Sequence, residues 1–166
     1  MTLFLKHPII VIMFNVVLIE PQIPQNTGNI ARLCAATEMQ LVIVGQPGFK
    51  LSDRYLKRAG LDYWEYVCIK HLPDVEAYFE QLDMARAYLL TTKVKRPYTQ
   101  IQPQPGDSFL FGKETAGLPE WLLKANPQMC FTIPMKNPNA RSLNLATSVG
   151  IVMYDMLSRF NFGLGE

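Results

Sequence analysis

The amino-acid sequence predicts one α/β domain, with a parallel sheet sandwiched by helices. Three observations carry that prediction. Six short runs are β-rich and most are apolar on both faces, as in strands covered by helices. Segments with apolar residues at helical spacing alternate with these runs. No composition break or linker interrupts the alternation.

The elements follow in order. Phe14–Ile19 reads as the first buried strand. Ile30, Leu33, Cys34 and Thr37 then fall at i, i+3, i+4 and i+7, one face of a helix. Strands are placed at 41–44 and 66–69, and Val75, Tyr78, Phe79 and Leu82 repeat the helical spacing. Strands at 87–91 and 108–111 come next, then a short amphipathic segment at 119–125 and a strand at 130–133. The last helix spans about 144–160, with Ala146, Val149, Gly150, Met153, Leu157 and Phe160 on one stripe.

Residues 1–19 are mostly apolar but broken by Lys6, His7, Pro8 and Asn15. A membrane span needs about 20 clean apolar residues, and this stretch is interrupted and contains proline. It also lacks the basic start and small-residue cleavage site of a signal peptide. Residues 1–12 read as an extension ahead of the first strand, with Met13 as an alternative start and residues 13–166 as the domain.

Composition narrows the function. The 166 residues carry 16 Lys+Arg against 14 Asp+Glu, with 49% hydrophobic and 18% charged, which excludes a disordered chain. A domain of this size buries roughly 68–70% of its unfolded surface, enough for a core without staples. A net charge of +2 permits a nucleic-acid partner without requiring one. Cys34, Cys68 and Cys130 are odd in number and far apart, so a disulfide framework or zinc ribbon is disfavoured and a reducing cytoplasm is the expected compartment. With His7 and His71 the only histidines, a His-based metal site or Ser-His-Asp triad lacks material, and metal-free chemistry is expected. The first strand runs into Glu20-Pro-Gln-Ile-Pro24 rather than a Gly-rich turn, which disfavours a dinucleotide-binding fold.

Three polar islands interrupt the apolar pattern. In residues 24–32, Asn26 or Thr27 can cap a helix whose N-terminus, opened by Gly28, attracts phosphate, with Arg32 one to two turns along. In Phe111-Gly-Lys-Glu-Thr-Ala-Gly-Leu118, a strand ends in a Gly-bounded loop holding Lys113 and Glu114, where α/β folds place ligands. Residues 133–146 leave a strand and enter the last helix, with Ser142 a candidate N-cap and Asn144 in the first turn. Taken singly, each island also reads as an ordinary capped helix or a charged turn.

Together the islands resemble the three motifs of the SPOUT methyltransferases, SpoU branch: N-x-G-x-x-x-R at 26–32, F-G-x-E-x-x-G-L at 111–118, and I-P-M with S-L-N-L at 133–135 and 142–145. A helix containing Val-Met-Tyr-Asp155 completes the pattern, which spans 13 to about 160. Residues 20–29, Arg-Leu-Cys at 32–34, Arg-Ala-Gly-Leu-Asp-Tyr at 58–63 and Thr-Thr-Lys at 91–93 are most similar to the tRNA (cytidine/uridine-2′-O)-methyltransferases of the wobble nucleotide.

The resemblance implies a homodimer with a deep C-terminal trefoil knot, a topology otherwise essentially absent from proteins. It implies S-adenosyl-L-methionine held largely by backbone around Thr91, Phe111, Gly112, Ile133, Met135, Ser142 and Leu143. It also implies a ribose 2′-OH activated at Arg32, with Asn26, Glu114, Ser142 and Asn144 organising the site; Glu114 has a purely orienting role as its alternative. Arginine, with a pKa above about 12, is a poor base, so Arg32 is expected to clamp a phosphate that relays the proton and to stabilise the alkoxide.

The implied partner is a tRNA anticodon stem-loop, leucine tRNAs being the family expectation, with no membrane and no metal. Arg141, Lys93 and Arg58 are candidate RNA contacts, alongside Arg54, Lys57, Lys95 and Arg96; Tyr154 reads either as core or as RNA-facing. Two features depart from the pattern: the extension at 1–12 and a slightly longer loop at 136–141. The separate RNA-binding domain of many relatives that methylate other positions is not expected here, which favours the minimal wobble-type enzyme. Another tRNA or rRNA position, or a non-catalytic RNA-binding or assembly factor, is the competing expectation.

Overall fold

The computed structural model describes residues 13–52, 54–59 and 63–164. The extension at 1–12 lies outside the described residues.

The six strands are β1 (Phe14–Ile19), β2 (Gln40–Val44), β3 (Ile69–Leu72), β4 (Ala87–Leu90), β5 (Asp107–Phe111) and β6 (Cys130–Phe131). They form one sheet in the order β3-β2-β1-β5-β4-β6, with every pairing parallel. The helices are α1 (Pro24–Thr37), α2 (Arg54–Ala59), α3 (Val75–Gln81), α4 (Glu120–Ala125) and α5 (Leu145–Ser158).

Alternation along the strands divides the core. Phe14, Val16 and Leu18 of β1 point to one face, with Phe109 and Phe111 of β5, and pack under Ile30, Ala31 and Cys34 of α1 and Val149, Val152, Met153 and Met156 of α5. Val17, Ile19, Val42, Leu89 and Leu110 point to the other face, under Leu122 and Leu123 of α4 and Val75, Tyr78 and Phe79 of α3. The continuous apolar runs therefore reflect burial on both faces, as expected for a sheet covered twice.

Two differences from the sequence reading have simple causes. The third strand lies at Ile69–Leu72, not at 66–69, because residues 64–66 form a 3₁₀ turn. β3 is the sheet edge with only β2 as neighbour, so exposed Lys70 and His71 are tolerated within it and its apolar signal is weak. β6 is only Cys130–Phe131, shorter than the 130–133 expected.

The segment after β4 shapes this end of the sheet. Thr91 N–H donates to Phe131 C=O at 2.9 Å on one side of β6. The chain then turns back, and Thr132 exchanges hydrogen bonds with it from the other side, its N–H to Arg96 C=O and its C=O from Tyr98 N–H, each at 2.8 Å. Residues 130–132 thus run between the two arms of the 91–98 segment. Arg159, at the end of α5, fastens the far arm by donating to Ile101 C=O at 2.6 Å and Thr99 C=O at 3.2 Å.

Candidate active site

Four chain segments meet at the carboxyl ends of the central strands, where parallel α/β sheets present their ligand sites. They enclose a cavity of about 490 Å³. Leu90 ends β4 and leads to Lys93, Phe111 ends β5 and leads to Gly117, Thr132, Ile133 and Met135 follow β6, and Arg141 to Asn144 lead into α5 at Leu145. Ile23 and Asn26, at the start of α1, complete the wall.

The loop after β5 is closed by its own backbone. Gly117 N–H donates to Lys113 C=O at 2.8 Å, and Gly117 adopts φ +71°, a left-handed conformation that glycine takes without strain. A Cβ at Gly112 would overlap the backbone of Gly117 and Leu118, so glycine is required there by close approach.

Glu114 is the hub of this region. One carboxylate oxygen accepts from Gln22 N–H at 2.8 Å, and the other from Ile23 N–H at 3.1 Å and from Asn26 Nδ2 at 3.1 Å. Asn26 Oδ1 in turn accepts from Asn144 Nδ2 at 2.9 Å, and Asn144 Oδ1 accepts from Thr147 N–H at 3.2 Å to cap α5. A continuous chain therefore links the loop after β5, the start of α1 and the start of α5. Beside it, Lys113 pairs with Glu20 at 3.0 Å, where Glu20 turns the chain out of β1 with φ +48°.

The caps differ from those the sequence suggested. α1 starts at Pro24, with Ile23 at the cap position and no side-chain cap of its own; the Glu114 carboxylate takes that place from across the fold. Asn26 and Thr27 are instead buried inside the first turn. Asn144 rather than Ser142 caps α5, because α5 starts at Leu145 and Ser142 lies a further two residues out.

The expected site residues divide into two groups. Asn26, Thr91, Lys93, Phe111, Gly112, Glu114, Ile133, Met135, Arg141, Ser142, Leu143 and Asn144 all line the cavity. Arg32, Tyr154 and Arg58 do not. Arg32 is exposed on α1, with its guanidinium carbon 4.9 Å from the centroid of the Tyr63 ring. Tyr154 is exposed on α5, 6.0 Å ring to ring from Phe162, and is not core. Arg58 is exposed on α2. Glu20, Gln22, Ile23 and Tyr63 fall in the stretches 20–29 and 58–63 that carry the resemblance, but no site role is assigned to them there, since spacing does not mark a backbone amide or a ring brought in from a distant turn.

A cavity of this volume lies within the roughly 300–1,000 Å³ range of small-molecule sites. With Lys113 paired and Glu114 saturated by donors, Lys93 and Arg141 supply the cavity's exposed positive charge. Among the described residues, no group of three or more His, Cys, Asp or Glu is placed to hold a metal ion, and no helix is long and apolar enough to cross a membrane.

Comparison with known proteins bears on this site. Residues 13–154 match the sequence profile of the SpoU rRNA Methylase family. A tRNA (cytidine(34)-2'-O)-methyltransferase of Yersinia pestis is 46% identical over 149 residues, covering 86% of this chain and 91% of that protein. A solved structure described as giving insight into 2-OH methylation of C/U34 on tRNA superposes with a TM-score of 0.84 at 39% identity, covering 90% of this chain and 97% of that one. A SpoU methyltransferase of Streptomyces viridochromogenes, solved with AdoMet, shares the fold, with a TM-score of 0.75 at 20% identity over 93% of this chain and 63% of that one. On its motifs, its fold and this match across most of its length, the chain belongs to the SpoU methylase family.

Proposed function

We propose that the chain transfers a methyl group from S-adenosylmethionine to the ribose 2′-OH of the wobble cytidine or uridine of a tRNA, with leucine tRNAs the expected substrates. One observation carries the reading: the cavity beyond β4, β5 and β6 is tied, through Glu114, Asn26 and Asn144, to the helix that bears Arg32.

S-adenosylmethionine supplies an already activated methyl, so the protein needs to align, desolvate and remove a proton. The backbone-rich loops at Thr91, Phe111, Gly112, Ile133, Met135, Ser142 and Leu143 fit a cofactor held mainly by main-chain groups. Glu114, with both oxygens occupied, acts as a positioning residue that fixes the start of α1. Arg32 is six residues beyond Asn26, about 9 Å along the helix, and the reading sets the ribose between the cavity mouth and its guanidinium. There Arg32 clamps the neighbouring phosphate, which accepts the 2′-OH proton, and its charge stabilises the oxygen as it attacks.

The passage of residues 130–132 between the arms of 91–98 supports a trefoil knot in the C-terminal part. Exposed Ile151 and Tyr154 on α5, with Phe162 and Leu164 beyond it, support a homodimer. Arg141 and Lys93 at the cavity rim, with Arg58 on α2, would then meet the anticodon stem-loop. The unit proposed is a cytoplasmic enzyme of residues 13–166 with 1–12 as an extension.

The test is methyl transfer from labelled S-adenosylmethionine to total tRNA from a strain lacking the gene, with the product nucleoside mapped. Label is expected as 2′-O-methylcytidine or 2′-O-methyluridine at the wobble position, lost in Arg32→Ala while cofactor binding persists. Label at another position keeps the chemistry and discards the substrate. Absence of label from the wild-type protein overturns the enzyme reading.

A further inference from the structure

We propose that Tyr63 is a positioning residue that holds Arg32 for methyl transfer; the inference rests on the role given to Arg32 above. The guanidinium carbon of Arg32 sits 4.9 Å from the Tyr63 ring centroid, within cation–π range. Among the described residues, Arg32 has no ion pair and no hydrogen bond of its own; the ring is what holds it. Glu114, which holds the start of its helix, is engaged through both oxygens by the Gln22 and Ile23 amides and Asn26.

This arrangement separates the two ways a guanidinium can be held. A carboxylate partner would occupy the N–H edge, which is the part needed to grip phosphate and the 2′-oxygen. An aromatic ring beneath the guanidinium accepts no conventional hydrogen bond from it, so its N–H donors stay available for phosphate and the 2′-oxygen. Without the ring, a long side chain on an exposed helix face would sample several rotamers, few of them aimed at the ribose. Tyr63 itself is 39% exposed, so it does not belong to the core that maintains the fold. It is delivered by the 3₁₀ turn at Trp64–Tyr66, which packs on α1. The chemistry asked of Tyr63 is therefore its face and not its hydroxyl.

The experiment compares wild type, Tyr63→Phe, Tyr63→Leu and Arg32→Ala in steady-state methyl transfer to tRNA, with cofactor affinity and thermal midpoint measured on the same preparations. Tyr63→Phe keeps the ring and is expected to remain within about twofold of wild type. Tyr63→Leu keeps apolar bulk but removes the ring, and is expected to lower kcat roughly five- to thirtyfold, from the upper end of an exposed cation–π contact to a desolvated one. Cofactor affinity and thermal midpoint stay unchanged. Tyr63→Ala replaces the leucine variant if that one aggregates. A Tyr63→Leu enzyme as fast as wild type overturns the inference. So does a Tyr63→Phe enzyme as slow as Tyr63→Leu, because the hydroxyl would then be the active feature. Transfer by wild type that Arg32→Ala leaves intact overturns the role of Arg32 and, with it, that of Tyr63. A wild-type protein with no transfer overturns the proposed function instead.

Discussion

Glu114 shows how one side chain can serve both stability and site geometry. Its carboxylate gathers three donors from a segment about ninety positions away in sequence, doing for α1 what a local cap would normally do. Substitution by glutamine keeps the size but turns an acceptor-only group into one with an amide NH₂ facing N–H donors. Glu114→Gln is expected to cost about 1–3 kcal/mol, the penalty of leaving such groups unmatched. It should also weaken cofactor binding, because Asn26 and Ile23 line the cavity. Urea unfolding and a cofactor titration check both; unchanged stability would mean that water replaces the carboxylate without loss. Gly112→Ala is expected to be harsher, since its Cβ has no room beside Gly117 and Leu118. Cofactor binding should be lost in a protein whose secondary structure by circular dichroism is retained, and near-native binding would show that the loop can open without cost.

At the scale of elements, the start of α5 is held by Asn144 rather than by Ser142. Asn144→Ala removes the cap and the bond to Asn26 together, so it should cost about 1–2 kcal/mol, near the upper end for N-cap deletions. Ser142→Ala should leave stability nearly unchanged while affecting the cavity. Equal losses in chemical denaturation would contradict the assignment of the cap.

The packing of α1 and α3 also sets a pH limit. Burial pushes the Cys34 thiol on α1 up to about 12 and the Tyr78 hydroxyl on α3 up to about 12. In the unfolded chain these groups ionise near 9.0 and 10.0, while the folded chain keeps them neutral. The stability they contribute is therefore fully present below about pH 9 and is lost as pH rises toward 12. The urea midpoint should fall steadily through that window, and the fall should be shallower in Cys34→Ala. A midpoint that stays level would show that both groups ionise as freely in the fold as outside it.

On the scale of the whole molecule, several of the exposed apolar side chains lie on and just beyond α5. Ile151, Tyr154, Phe162 and Leu164 are 37 to 68% exposed, and in the proposed homodimer a second copy of the chain would cover them. Ile151→Asp is expected to shift the sedimenting species from two chains to one and to reduce tRNA methylation with it. A wild-type protein that sediments as a single chain would sink the dimer.

Much of this fold follows from local pattern. The two-faced apolar runs of β1, β2, β4 and β5 and the helical spacing of α1, α3 and α5 are properties of neighbouring residues, so they are legible without coordinates. The edge strand β3 is less so, because its exposed Lys70 and His71 obey the needs of an edge rather than of a core. The motif residues at 26, 111–118, 133–135 and 142–145 were also visible, since each island is a polar break in an apolar chain.

What the sequence by itself determined is therefore the α/β class, the order of elements and which polar residues were available. What only the tertiary structure decided is how those residues are paired: that Glu114 serves the amides of Gln22 and Ile23, that Asn144 reaches Asn26, and that Tyr63 lies under Arg32. Secondary structure is set by spacings of a few residues, whereas these contacts join positions from 31 to 118 apart. They depend on the strand order of the sheet and on which loops it brings together, which no local period encodes.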